Sequence, residues 1–177
     1  MENYTVKKLI GRDKIKMRVR EIAAEIDRDY KDKNPIFAVV LKGGFIFAAD
    51  LLRSLKIPTS LDFIGTSSYE GTKSSGDVRI TKDLDYTIKG RHLLLVEDIV
   101  DTGLTLNNLI KLLKQRGPKS LNIASLLVKD IPRNFEIPLR YVCFNIPNKF
   151  VIGCGLDFDE KHRGLPYIGY VEPVAKK

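Results

Sequence analysis

The sequence predicts an α/β protein, a mostly parallel β-sheet flanked by helices. Three observations predict it. Predominantly apolar runs at 36–41, 92–96 and 121–128 read as strands buried on both faces. Segments with helical spacing at 13–31, 44–55 and 104–116 separate them. Glycine and proline stand at the junctions, as Pro35, Gly43-Gly44 and Gly117-Pro118. Strands alternating with helices build a parallel sheet.

The elements follow in order. Residues 13–31 place Ile15, Val19, Ile22, Ala23 and Ile26 on one helical stripe, with Asp13 as the expected N-cap. Pro35 precedes a strand from Ile36 to Leu41, Gly43-Gly44 breaks it, and a helix runs to about Leu55. Residues 59–66 form a strand, 67–77 a polar mobile loop, and Val78 to Thr81 the returning strand. A strand over 92–96 feeds a helix from about Leu104 to Arg116, which Gly117-Pro118 ends. Further strands are expected at 121–128, Tyr141 to Phe144 and Phe150 to Ile152. The C-terminal part carries no helical pattern and suits a small hood over the ligand edge.

The strongest chemical signal is Leu93 to Leu106. Four apolar residues lead to two acids, Glu97 and Asp98, at the expected strand end. Asp101 then opens a Thr102-Gly103-Leu104-Thr105 loop before a helix. In open α/β sheets, ligands bind outside the carboxyl ends of the strands. A loop feeding a helix N-terminus offers free N–H groups and a favourable dipole to a phosphate. Gly103 permits close backbone approach, and the two threonine hydroxyls add donors. Acids beside a phosphate cradle repel the ligand unless a cation or ribose hydroxyls intervene. The pattern therefore points to a phosphorylated sugar with a metal nearby.

The bulk numbers exclude several classes. The 177 residues suffice for one domain with a substantial core. Apolar content of 44% and charged content of 29% suit a globular protein, and no apolar run approaches the roughly 20 residues that span a bilayer. The start, Met1 to Lys8, lacks the apolar core of a signal peptide, so a cytoplasmic location is expected. Cys143 and Cys154 have no metal-ligand spacing and read as buried free thiols. The net charge of +8 is dispersed, which favours solubility and an anionic small ligand; RNA binding stays open as the lesser alternative. Gly65 to Ser74 looks like a P-loop, but it has one residue too many between the glycines, and Thr72 precedes Lys73. His92 and His162 read as structural or exposed.

Val96-Glu97-Asp98-Ile99-Val100-Asp101-Thr102-Gly103-Leu104-Thr105 resembles the phosphoribosyl diphosphate motif of the type I phosphoribosyltransferases. The chain is similar to the hypoxanthine-guanine branch of that family over residues 36–170. Further matching segments are Leu41-Lys42-Gly43-Gly44, the loop with Ser68-Tyr69, Lys129, Phe150 to Asp157, and Arg163-Gly164-Leu165-Pro166.

The resemblance implies a type I phosphoribosyltransferase fold in one domain, 1–177. Its core is about 33–145, and its hood comes from the N-terminal segment and about 146–177. It implies that Glu97, Asp98, Asp101, Thr102, Gly103, Leu104 and Thr105 hold the phosphoribosyl group, with Asp101 as the catalytic base. Lys42, Gly43 and Arg163 would bind diphosphate, with a cis peptide between Leu41 and Lys42. Ser68 and Tyr69 would belong to a closing lid. Lys129 would donate to the 6-oxo group of a purine, Phe150 would stack on the base, and Val151 and Asp157 would complete its site. Mg2+ would be held by Glu97, Asp98 and Asp157. The implied partners are a purine base, phosphoribosyl diphosphate and further copies in a homodimer or homotetramer, with no membrane and with nucleic acid disfavoured. A xanthine or pyrimidine enzyme, and an RNA-binding regulator on the same fold, remain alternatives.

Overall fold

The computed structural model describes residues 4–68, 78–133 and 136–173, with Ser68 and Val78 described in backbone only. Six strands form the main sheet: β2 (Ile36–Leu41), β3 (Ser60–Ser68), β4 (Val78–Lys82), β5 (His92–Val100), β6 (Ser120–Lys129) and β7 (Leu139–Ile146). Their spatial order is β4-β3-β2-β5-β6-β7, parallel except for β4. Three helices cover the sheet: α1 (Arg12–Asp29), α2 (Phe45–Ser54) and α3 (Leu104–Gln115). The expected class, a mostly parallel sheet between helices, is the observed one. A second sheet has the order β1-β9-β8, built from Tyr4–Ile10, Ile168–Pro173 and Val151–Ile152.

Strand alternation explains why the apolar runs are continuous. Phe37 and Val39 of β2, and Leu94 and Val96 of β5, pack with the α1 and α2 residues Ile22, Ile26 and Leu51. Their neighbours Ile36, Ala38, Leu93 and Leu95 face the other way, against Leu109 and Leu113 of α3. Successive side chains of a strand point to opposite faces, so a strand covered on both sides needs no polar positions. Each fully buried aliphatic side chain contributes about 1.5–3 kcal/mol. All five residues of the expected α1 stripe are buried.

Four local expectations need correction. The N-cap of α1 is Gly11, and Asp13 lies within the first turn, so it meets the helix dipole without capping. Phe150 precedes β8 and is not part of it. The strand holding the acidic pair continues to Val100, because β6 pairs alongside it as far as Val128. The terminal strands β1 and β9 carry no strong alternation. They form because they pair with each other, Tyr4 opposite Pro173 through Ile10 opposite Ile168. Of the expected 67–77 loop, Ser67 and Ser68 belong to β3, and the remainder lies outside the described residues.

The end of the sheet away from the ligand edge gives one pH prediction. His92 Nδ1 lies 2.7 Å from Ser120 Oγ. Burial, then the charges of Lys119 and Lys33, hold its pKa below the ordinary 6.5. The fold therefore prefers the neutral ring, and the unfolded chain takes up the proton first. Its contribution is complete above pH 6.5 and is lost as pH falls through the depressed folded value. His92→Asn is expected to flatten the fall in Tm between about pH 7 and 5. An unchanged slope in thermal melts would show that His92 does not set it.

Candidate active site

The strand order reverses at β2. The chain runs from β2 outward through β3 to β4, then returns to β5 on the other side and continues to β6 and β7. A crevice opens at the carboxyl ends of strands at such a switch point. Here β2 and β5 pair only as far as Val39 and Val96. Beyond that β2 stays with β3 and β5 with β6, so the two strand ends part. Gly44 is wedged into the fork. A Cβ there would lie 2.8 Å from the Val40 carbonyl oxygen and 2.9 Å from that of Val96.

A cleft of about 690 Å³ follows from this fork, lined by Lys42 and Gly43 after β2 and by Glu97 to Leu106 along and after β5. The segment after β8 supplies Asp157, Glu160 and Arg163 to the same cleft. A larger cleft of about 890 Å³ between α1, α2 and the 164–166 turn holds none of the acids after β5.

The α3 end is built for an anion. Gly103 takes φ +76°, a left-handed conformation that suits glycine, and turns the chain into the helix. The first intrahelical bond runs from Asn107 N–H to the Gly103 carbonyl at 2.8 Å, so the amides before it are oriented outward from the helix end. Thr102 Oγ1 accepts weakly from Leu104 N–H at 3.4 Å. The Thr102, Leu104 and Thr105 side chains stand exposed.

Asp98 faces the loop after β2. A Cβ on Gly43 would meet Asp98 Oδ2 at 1.6 Å, so only glycine allows this approach. The peptide bond between Leu41 and Lys42 is cis. Burial first, then the adjacent charge of Asp98, push the Glu97 carboxyl well above its ordinary pKa.

The cations of the site are paired with its acids. Lys42 Nζ donates to Glu160 Oε1 at 3.1 Å. Arg163 bonds Asp157 Oδ1 at 2.9 Å, Glu160 Oε2 at 3.1 Å and the Gly155 carbonyl at 2.8 Å. Its Nε is buried with no hydrogen-bond partner among the described residues. The hydrogen bonds from Lys42 and Arg163 hold the Glu160 carboxyl below its ordinary pKa. Lys129, nearly buried at the end of β6, donates to Asp101 Oδ2 at 2.5 Å, while the Asp101 side chain is 49% exposed.

Phe150 and Val151 lie apart from the cleft wall. Phe150 is 54% exposed and meets Phe158 edge-on at 5.5 Å; Val151 is buried and pairs with Tyr170. Phe158 in turn packs edge-on against Tyr4 at 5.2 Å, whose hydroxyl lies 2.8 Å from His162 Nε2. Of the lid pair, Ser68 ends β3 and Tyr69 lies outside the described residues. Cys143 and Cys154 are free and buried, and burial pushes their thiols up to about 12 and about 11.

Among the described residues no group of three or more His, Cys, Asp or Glu side chains is arranged to hold a metal ion. The acids instead come singly or in pairs. That fits Mg2+, which binds through one or two carboxylates and takes its other oxygens from substrate and water. Asp157 accepts from Glu160 N–H on one oxygen and bonds Arg163 through the other, so its carboxylate is held in a fixed orientation.

Residues 8–159 match the model of the phosphoribosyl transferase domain. The chain belongs to that family. A hypoxanthine-guanine-xanthine phosphoribosyltransferase of Tritrichomonas foetus is 46% identical over 93% of this chain and 90% of its own length. The crystal structure of a hypoxanthine-guanine phosphoribosyltransferase from Bacillus anthracis superposes with a TM-score of 0.89 and 39% identity, covering 96% of this chain and 99% of that one. The bifunctional TilS/HprT protein of Listeria monocytogenes is 44% identical over 98% of this chain, which spans 27% of its length.

Two polar residues stand at the site of this family member that its sequence does not single out. Glu160 joins Lys42 to Arg163, yet in the sequence it is one acid in a run of Asp157, Asp159 and Glu160. Backbone turns of positive φ at Asp159 (53°), Glu160 (58°) and His162 (72°) bring it there, and no side-chain pattern announces them. Arg133 is the other.

Proposed function

We propose that this protein transfers a 5-phosphoribosyl group from phosphoribosyl diphosphate to N9 of hypoxanthine or guanine. The products are IMP or GMP and diphosphate, a purine-salvage reaction. The observation that carries this reading is the Lys129–Asp101 pair. A nearly buried donor and an exposed acceptor stand together at the ends of two adjacent strands, beside the anion-binding turn of α3. An oxopurine offers an acceptor at O6 and a proton site at N7 along one edge. Adenine offers a donor at position 6, leaving Lys129 unmatched, and a buried unmatched donor discriminates strongly.

In this reading the amides at 102–105 grip the 5-phosphate, and that remote binding energy positions the anomeric carbon. Glu97 and Asp98 hold the ribose hydroxyls. Bond breaking runs ahead of bond making, so charge builds on the departing diphosphate, where Lys42 and Arg163 exchange their carboxylate partners for phosphate oxygens. Asp101 accepts the proton near N7. Asp157 and the Glu97–Asp98 pair would hold Mg2+, which would supply further positive charge to the diphosphate. Phe150 stacks on the base, with Val151 and Asp157 at its edge, and the β1-β9-β8 sheet acts as the hood. The protein works in the cytoplasm as a homodimer or homotetramer. No helix among the described residues is long and apolar enough to cross a membrane. Xanthine is a second candidate base, since it differs only at position 2 and the Tritrichomonas relative carries it in its name.

The test is diphosphate release with hypoxanthine, guanine, xanthine and adenine in turn, with and without Mg2+. Activity with the oxopurines far above a residual rate with adenine is expected. Lys129→Ala is expected to lower oxopurine kcat/KM by about 10²-fold or more, leaving adenine unaffected. Identical base kinetics in that variant would remove Lys129 from base recognition.

A further inference from the structure

We propose that Arg133 is a positioning residue that sets the spacing between Asp101 and Lys129, and thereby the discrimination among bases. The inference rests on the roles given above to those two residues. Arg133 Nη2 donates to the Lys129 carbonyl at 2.6 Å and to the Val100 carbonyl at 3.3 Å. Its Nε donates to the Asp101 carbonyl at 3.1 Å. One guanidinium thus joins the ends of two neighbouring strands. Val100 and Val128 are the last pair between β5 and β6, and Asp101 and Lys129 are the next residues of each chain segment. Beyond that pair no ladder bond fixes the two segments relative to each other, and Arg133 supplies the missing link.

The chemistry suits arginine alone. The guanidinium is a rigid planar fork with five donors, so it serves three carbonyls from one plane. A lysine in its place has a flexible stem and a single nitrogen. Arg133 forms no ion pair among the described residues; the bonds described for it go to backbone carbonyls flanking the two site residues. The segment that carries it is itself held. Asp130 N–H donates to the Ile146 carbonyl at 2.8 Å, and Ile131 N–H to the Lys129 carbonyl at 3.0 Å. The hydrogen bonds described for Arg133 go to the Asp101, Val100 and Lys129 carbonyls, and none goes to Lys42 or Gly43. Its influence should fall on the base and not on phosphoribosyl diphosphate.

Steady-state kinetics of Arg133→Ala and Arg133→Lys test this, with Lys129→Ala, Asp101→Asn and the double variant Arg133→Ala/Lys129→Ala alongside. A displacement of about 1 Å at a reacting group costs on the order of 10²-fold. Arg133→Ala is therefore expected to lower oxopurine kcat/KM by about 10- to 100-fold, with KM for phosphoribosyl diphosphate within about twofold. The oxopurine-to-adenine ratio should narrow, and the loss should be strongly non-additive with Lys129→Ala. Arg133→Lys should show the same ordering with a smaller loss, and it decides the matter if the alanine variant does not fold. Equal losses for every substrate, or full additivity in the double variant, would overturn the proposal and leave Arg133 a stabilising residue only. Wild-type base kinetics in both Arg133 variants would overturn it too, while Lys129→Ala and Asp101→Asn behave as expected. If those two single variants are themselves silent, the reading of the base site fails first, and the inference falls with it.

Discussion

Replacing Asp101 by Asn should lower kcat by about 10²–10⁴-fold, the usual range for a lost general base, while KM for phosphoribosyl diphosphate changes little. The asymmetry follows from what the substitution removes. Asparagine keeps the shape of the side chain and can still accept one bond from Lys129, which lies 2.5 Å from Asp101 Oδ2. The backbone of the turn, which in the proposed reading grips the phosphate, is untouched. What disappears is the capacity to take a proton. A loss confined to kcat and kcat/KM identifies an interaction made in the transition state. Equal losses in turnover and in phosphoribosyl diphosphate binding would show that Asp101 only binds.

The second large effect is expected from Gly155→Ala, a change outside the residues proposed to hold the ribose. Gly155 has φ +105°, and a Cβ there would lie 1.9 Å from the Gly43 carbonyl oxygen. The neighbour is backbone, not the tip of a flexible side chain, so the turn at Gly155 and the loop after β2 must separate. Overpacking of this kind costs about 1–3 kcal/mol, to which the strained φ adds. The Gly155 carbonyl also accepts from Arg163, so the shift carries Arg163 with it. We expect kcat/KM for phosphoribosyl diphosphate to fall by about 10²-fold with a lowered Tm. Thermal melting beside kinetics at saturating purine separates the two effects. A variant with wild-type kinetics would show that hood and loop do not act as one unit.

The sequence by itself determined the parts whose signal is local. Ile36–Leu41 appears as the strand its apolar run predicts, and the α1 stripe from Ile15 to Ile26 is buried, because period and burial are written within a few residues. The turn after β5 was legible for the same reason: acids, glycine and threonines stand together in the chain before they stand together in space. The strand end was misjudged by four residues, since Glu97 to Val100 stay extended only because β6 continues beside them.

Tertiary structure decided what depends on partners distant in sequence. The pairing of β1 with β9 joins the two ends of the described chain, and neither strand has a pattern strong enough to announce it. Glu160 reaches Lys42 across 118 residues, and Arg133 reaches Asp101 across 32. Gly155 meets Gly43 through backbone alone, a contact that no side chain records. Local periodicity fixes which residues are strand or helix. Which acid meets which cation is fixed by the parting of β2 and β5 and by left-handed turns in the hood, and neither has a signature in residue type.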